Sequence, residues 1–303
     1  MRVVVTPLLG VLVSFCLGVS CSRPADATEL PKKPAPPWPQ RFVPVAAVPK
    51  DLAGIVVLDA REAGDYAAGH LPGAVRADWK EYRDGLLTTG ALPKDLDELA
   101  RELSALGVDE GKRVLVCGAG REGWGEEGRL AWMLAYLGHP SVAVLDGGCL
   151  AWARAGRPLS RDKPRPTPGL FRARPRQELR TTKDEVARAL TDPRVQLIDA
   201  RSVEEYRGAT PYLEARGGHI PGAVHLEFKR VLDDKSALKD KDALQRLLRE
   251  AGLDLERPVI AYCTGGVRSA LLVMALREAG IAAKNYDGSF WEWAKDDALP
   301  VEK

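Results

Sequence analysis

Several things are scarce in this chain of 303 residues, and each scarcity closes off a class of function. Five cysteines over such a length are too few for the disulfide framework that holds small secreted domains together, so each is read on its own. Excess charge of one sign is missing: 44 Lys and Arg against 42 Asp and Glu leave +2, which gives no reason to expect nucleic acid as a partner. The apolar run at the start, Leu8 to Val19, is about twelve residues long where a bilayer span needs about twenty. No cluster with metal-ligand spacing is visible. What is present, apolar residues at 45% and charged ones at 28%, excludes intrinsic disorder and describes a chain long enough for two domains.

The short apolar run behind Arg2 reads as a signal peptide. It leads into Gly18-Val19-Ser20-Cys21-Ser22, which resembles a bacterial lipobox with glycine where an aliphatic residue is usual, so Cys21 is the candidate for lipidation over an expected leader of 1–21. That resemblance implies export to a bacterial cell envelope and a lipid anchor facing the periplasm. Residues 22–48 carry many prolines and little apolar periodicity, which predicts an extended tether. A second proline-rich stretch, 157–176, predicts a linker between a first domain over 49–156 and a second over 177–303.

The two halves repeat one another. Val57-Leu58-Asp59-Ala60-Arg61 and Gly69-His70-Leu71-Pro72-Gly73-Ala74-Val75 are answered by Leu197-Ile198-Asp199-Ala200-Arg201 and Gly218-His219-Ile220-Pro221-Gly222-Ala223-Val224. Asp146-Gly147-Gly148 with Trp152 is answered by Asp287-Gly288-Ser289 with Trp293. A period of about 140 residues is too long for a solenoid and indicates tandem domains. Short runs apolar on every residue (Ile55–Leu58, Val114–Val116, Val142–Leu145, Val195–Ile198, Val259–Tyr262) alternate with helical stretches such as Leu96–Leu106, Leu130–Leu137, Lys183–Leu190, Ala243–Ala251 and Ala270–Ala279. Each half is therefore expected to be α/β, a parallel sheet covered by helices on both faces.

In such sheets ligands gather where strands end and helices begin. The run Val259–Tyr262 passes directly into Cys263-Thr264-Gly265-Gly266-Val267-Arg268, and an apolar helix starts near Ser269. Glycines let this loop curl so that several N–H groups face inward, and the helix start adds partial positive charge; both favour thiolate over thiol at Cys263. The bland alternative is a buried structural cysteine at a strand end.

Asp199-x-Arg201, Gly218 to Ala223, the loop Cys263 to Arg268, and Tyr286-Asp287-Gly288-Ser289-Phe290-x-Glu292-Trp293, in that order and partly echoed in the first half, resemble the tandem-domain rhodanese sulfurtransferases. The resemblance runs from roughly Arg41 to the C-terminus. It implies two tandem rhodanese-like domains and a sulfur relay in which Cys263 takes sulfur from thiosulfate or mercaptopyruvate, carries it as a persulfide, and passes it to cyanide or a thiol. Thr264, Gly265, Gly266 and Val267 would form the cradle and Arg268 would help bind the anionic donor, with pairing to a carboxylate as its alternative role. No organic cofactor is implied. An arginine ending the loop resembles bacterial thiosulfate enzymes more than mercaptopyruvate enzymes, which favours thiosulfate. Where many members have an arginine before the aromatic residue, Glu205 precedes Tyr206, so a donor-binding cation is missing there.

Cysteine-dependent phosphatases of related fold have a loop one residue longer between cysteine and arginine; the shorter one here suits a single sulfur better than a phosphoryl group. A carrier that holds persulfide without turnover, or senses oxidants at the envelope, is the remaining rival, along with a purely structural role. In the first half Gly118 stands at the position of Cys263, Cys117 lies one place early, and the following loop, Ala119 to Gly128, is longer by about three residues. That half is expected to be inactive, with the Cys117 side chain turned to the opposite face. Cys117 and Cys149 are read as two separate cysteines, with pairing in an oxidising compartment as the alternative. Asp59, Arg61, His70, Asp199, Arg201 and His219 recur in both halves and are expected to support the fold.

Overall fold

A computed structural model describes residues 34–85 and 89–303. The leader and Cys21 lie outside the described residues. The first sheet comprises β1 (Phe42–Val43), β2 (Ile55–Asp59), β3 (Val75–Arg76), β4 (Arg113–Cys117) and β5 (Val142–Leu145), in the order β1-β5-β4-β2-β3. The second comprises β6 (Arg180–Thr181), β7 (Gln196–Asp199), β8 (Val224–His225), β9 (Val259–Tyr262) and β10 (Ala283–Tyr286), in the equivalent order β6-β10-β9-β7-β8. All pairings between these strands are parallel. The five apolar runs form β2, β4, β5, β7 and β9. The edge strands are too short to leave a pattern, and β10 carries Lys284 and Asn285, which break its apolar run.

Two helices, Glu126–Tyr136 and Arg268–Glu278, are buried on nearly every side because their apolar residues are not confined to one stripe. They pack against each other across the domain boundary, and a Cβ at Gly128 would overlap the Leu271 backbone. Helix Lys241–Glu250, by contrast, buries only Leu244, Leu247 and Leu248, a single face. The inner faces of both sheets share one core, with Leu58, Val114 and Val116 on one side and Ile198, Val259 and Ala261 on the other. Each outer face has its own core, built around Trp152 in the first domain and Trp293 in the second.

Two boundaries differ from the expectation. Residues 34–48 do not hang as a tether: Ala35 N–H donates to Glu110 O (2.9 Å), Trp38 Nε1 donates to Val114 O (2.9 Å), and Phe42–Val43 closes one edge of the first sheet. Prolines permit this because the backbone carbonyls still accept, as Pro36 O does from Ser141 Oγ. The stretch 157–176 is likewise fastened along the first domain. Arg157 donates to the carbonyls of Val45, Val48 and Pro49, Ser160 and His70 exchange backbone hydrogen bonds, and Phe171 is buried.

Candidate active site

The end of β9 places Cys263 against the start of helix Arg268–Glu278. A second loop grips it: Phe290 N–H donates to Cys263 O (3.0 Å), Trp291 N–H to Thr264 O (2.9 Å), and Cys263 N–H to Ser289 Oγ (3.1 Å). Ser289 adopts φ +56°, a strained conformation for a serine, and its hydroxyl also donates to Tyr286 O (2.7 Å). The Cys263 sulfur lies 3.6 Å from Ser269 Oγ. Burial pushes the thiol pKa up, but the Arg268 guanidinium, the N–H and hydroxyl of Ser269 and the Gly265 N–H outweigh it and hold the thiol below its ordinary value. Cys263 is 1% exposed, yet it lines a cleft of about 190 Å³ together with Thr264, Gly265, Val267 and Arg268. A larger groove of about 700 Å³ lies at the opposite, amino-terminal ends of β9 and β10 and has no cysteine in its lining.

One of the expected cradle roles is corrected. Gly266, at φ +72°, does not line the cleft; its carbonyl is turned away toward Asn285 Nδ2 (3.1 Å). Arg268 does line it, with its guanidinium paired to a carboxylate, the alternative role expected for it. Nη1 and Nη2 bond both oxygens of Glu205 (2.6 and 2.7 Å), and Nη2 also donates to Thr264 Oγ1 (2.6 Å), which in turn donates to Glu205 Oε1 (2.7 Å). A cation taken this far from water needs a counterion, and Glu205, which the sequence marks as a missing cation, supplies it. Glu205 also accepts from Ser202 N–H at the start of its own short helix (3.2 Å). Burial pushes this carboxyl up; the bonds and charge of Arg268, with Thr264 and Ser202, reverse that and hold it at about 2.

The equivalent place in the first domain has no nucleophile. Asp59 pairs with Cys117 as Asp199 pairs with Tyr262, which puts Gly118 at the position of Cys263. A Cβ there would overlap the Glu127 carboxylate, so a carboxyl group already fills the space that the thiol occupies in the second domain. Burial pushes Glu127 up to about 8. The Cys117 side chain sits in the outer core, as expected. The default expectation of two separate cysteines is overturned: Cys117 and Cys149 form a disulfide with Cα atoms 5.6 Å apart. The bridge stands where Tyr262 and Phe290 stack in the second domain, 6.4 Å between ring centroids.

The recurring residues brace the fold in both halves. Arg61 joins Asp59 to Gly69 O as Arg201 joins Asp199 to Gly218 O. His70 stacks on Tyr66 as His219 stacks on Tyr206. The rest of the cleft wall was not legible in the sequence: Glu62, Trp79, Lys80, Trp124 and Glu126 come from the first domain, Tyr212 and Trp291 from the second. Trp124, 48% exposed, and Tyr212 meet edge to face, and the Arg268 guanidinium lies 5.2 and 5.7 Å from their ring centroids. No local spacing signals residues brought together from positions so far apart.

Comparison with known proteins agrees with this geometry. The profile of the rhodanese-like domain matches residues 46–155 and 182–296. The chain is 32% identical over 267 residues to a thiosulfate sulfurtransferase of Azotobacter vinelandii, covering 86% of this chain and 97% of that one. It is 30% identical over 240 residues to the human 3-mercaptopyruvate sulfurtransferase, covering 78% and 80%. The crystal structure of SseA from Escherichia coli, a 3-mercaptopyruvate sulfotransferase described as having the rhodanese fold, superposes with a TM-score of 0.72 at 28% identity over 82% of this chain and 98% of that one.

Proposed function

The chain belongs to the rhodanese-like family, and from that membership we propose that it is a thiosulfate sulfurtransferase whose second domain carries the chemistry on Cys263. The observation that carries this reading is one sulfur, held below its ordinary thiol pKa by Arg268, Ser269 and Gly265, at the base of a cleft walled by both domains. The Cys263 thiolate attacks the outer sulfur of thiosulfate. The S–S bond of the donor breaks, its electron pair leaves with sulfite, and the sulfur remains on Cys263 as a persulfide. A nucleophilic acceptor, cyanide or a thiolate, then attacks that outer sulfur; the new S–S bond breaks and the thiolate is restored. N–H groups around the loop stabilise the negative sulfur in both states. Arg268 acts on the charge of the sulfur while held by Glu205, and Lys80, paired with Glu62 (2.7 Å), lines the cleft from the first domain.

The test is intact-mass analysis after exposure to thiosulfate. One added sulfur atom mapped to the Cys263 peptide, followed by continuous thiocyanate formation when cyanide is supplied, is the expected result. One equivalent of sulfur without turnover would instead identify a persulfide carrier, and no sulfur uptake would remove the reading.

The placement in the cell rests on the first residues. The apolar run to Val19 and Cys21 support export and lipidation at the envelope, facing the periplasm. The disulfide Cys117–Cys149 supports an oxidising compartment. Among the described residues no helix is long and apolar enough to cross a membrane. Globomycin-sensitive processing and fatty-acid labelling lost in Cys21→Ala test this; absence of label on the wild-type protein would remove it.

A further inference from the structure

Arg129 lies in helix Glu126–Tyr136 of the domain that has no nucleophile, yet its guanidinium reaches into the other domain's catalytic loop. Nη1 donates to Gly266 O (3.3 Å) and Nη2 to Gly90 O (2.5 Å), over the Trp132 ring at 4.9 Å. The residue is 1% exposed, Nε donates to nothing among the described residues, and no carboxylate lies at ion-pair distance. A guanidinium removed from water without a counterion costs several kcal/mol, and two carbonyl oxygens do not offset that. Burial pushes its pKa down, to about 10, so it still carries its charge at neutral pH.

Of the charges that act on it, Asp287 is the stronger anion and is itself bonded to Arg180 (2.9 Å), Arg180 and Arg83 are cations like itself, and the Cys263 sulfur is a further anion. The loop is also tied to Arg129 mechanically. Gly266 O accepts from Arg129 and from Asn285 Nδ2 (3.1 Å), Asn285 Oδ1 accepts from Ser269 Oγ (2.7 Å), and Ser269 Oγ lies 3.6 Å from the Cys263 sulfur. Gly90 packs so closely on the Gly265 carbonyl that no Cβ would fit between them, so the anchor for Nη2 is itself pressed on the loop.

We propose that Arg129 is a positioning residue through which the nucleophile-free domain supplies a second counter-cation to the Cys263 thiolate and fixes the plane of the peptide at Gly266. This rests on the reading of Cys263 as the sulfur carrier and assigns the first domain an electrostatic share in it. Arg268 acts on the sulfur from its own loop, with its charge shared with Glu205; Arg129 reaches that loop from the other domain through Gly266 O, with no ion pair of its own among the described residues.

The experiment is the rate of Cys263 alkylation by iodoacetamide against pH, in the full chain. In Arg129→Met the apparent thiol pKa should rise by roughly 0.5–1 unit, lowering the thiolate fraction below that pKa about 3- to 10-fold. Arg129→Lys, which keeps the charge, should stay within about 0.3 unit of wild type. Arg129→Gln keeps an N–H for Gly266 while losing the charge, should shift like the methionine variant, and carries the test if that variant does not fold. A purely structural arginine would lower the melting temperature and leave the profile in place; coincident profiles in folded neutral variants overturn the proposal. Alkylation needs no sulfur donor, so this result judges Arg129 whichever way the thiosulfate experiment turns out.

Discussion

The two domains share a strand order, a bracing network and a loop grip, and differ in what fills one small space. Cys149 N–H donates to Gly118 O at 3.0 Å just as Phe290 N–H donates to Cys263 O at 3.0 Å, so the frame around the site is the same in both. In the second domain that frame surrounds a thiol beside a serine hydroxyl; in the first it surrounds the buried carboxyl of Glu127, from the first turn of the helix that follows a loop about three residues longer. Where the first domain has glycine in place of the cysteine, a carboxyl fills the space and a disulfide stands in place of an aromatic pair. The domain without this cysteine is not a spectator, since it lends Trp79, Trp124 and Lys80 to the cleft wall.

Removing the one group that separates the domains has the largest expected effect. Cys263→Ser should lower thiocyanate formation by a factor on the order of 10³ or more with an unchanged circular dichroism spectrum, because the alkoxide equivalent is not formed near neutral pH. Residual turnover of more than a few per cent would move the chemistry elsewhere.

Next is the ion pair that the second domain alone possesses. Glu205→Gln leaves the buried Arg268 without its counterion and should cost about 3–5 kcal/mol, read by urea denaturation. In the wild type the folded Glu205 pKa, at about 2, lies below its ordinary value near 4.5. Its contribution is therefore complete above pH 4.5 and lost as pH falls toward 2. The variant should lack that acid-side slope.

The disulfide is the first domain's own device. Replacing both Cys117 and Cys149 by alanine should cost about 3–4 kcal/mol for a closed loop of this length, while alkylation of Cys263 keeps its pH profile. A shifted profile would show that the two sites are coupled.

Glu127 gives the smallest effect, of opposite sign in pH. Its folded pKa, raised to about 8, favours the protonated form, so stability is full below pH 4.5 and declines as pH rises through 8. Glu127→Gln should remove that decline and raise stability at about pH 8.5 relative to the wild type, measured as melting temperature against pH. A parallel decline in both proteins would place the titrating group elsewhere.

Much of this was legible beforehand, for local reasons. Apolar runs such as Val259–Tyr262, the duplicated Asp-x-Arg and Gly-His-x-Pro-Gly-Ala segments, and the position of Cys263 at a strand end are all written within a few residues of one another. The assignments that changed depend on partners far away in the chain. Arg268 was expected to face the donor, but a carboxylate 63 residues earlier holds it. The proline-rich residues 34–48 look unstructured by periodicity and are ordered by contacts with Glu110, Val114 and Ser141.

By itself the sequence determined that there are two α/β domains, that a cysteine follows the strand Val259–Tyr262 in the second, and that glycine stands at the equivalent place in the first, because strand patterning and loop chemistry act between near neighbours. Only the tertiary structure decided which charges neutralise Arg268, that Cys117 and Cys149 are joined, and that Arg129 and Trp124 cross from one domain to the other's site. Electrostatic and packing partners are chosen by distance in space, and no spacing along the chain records them.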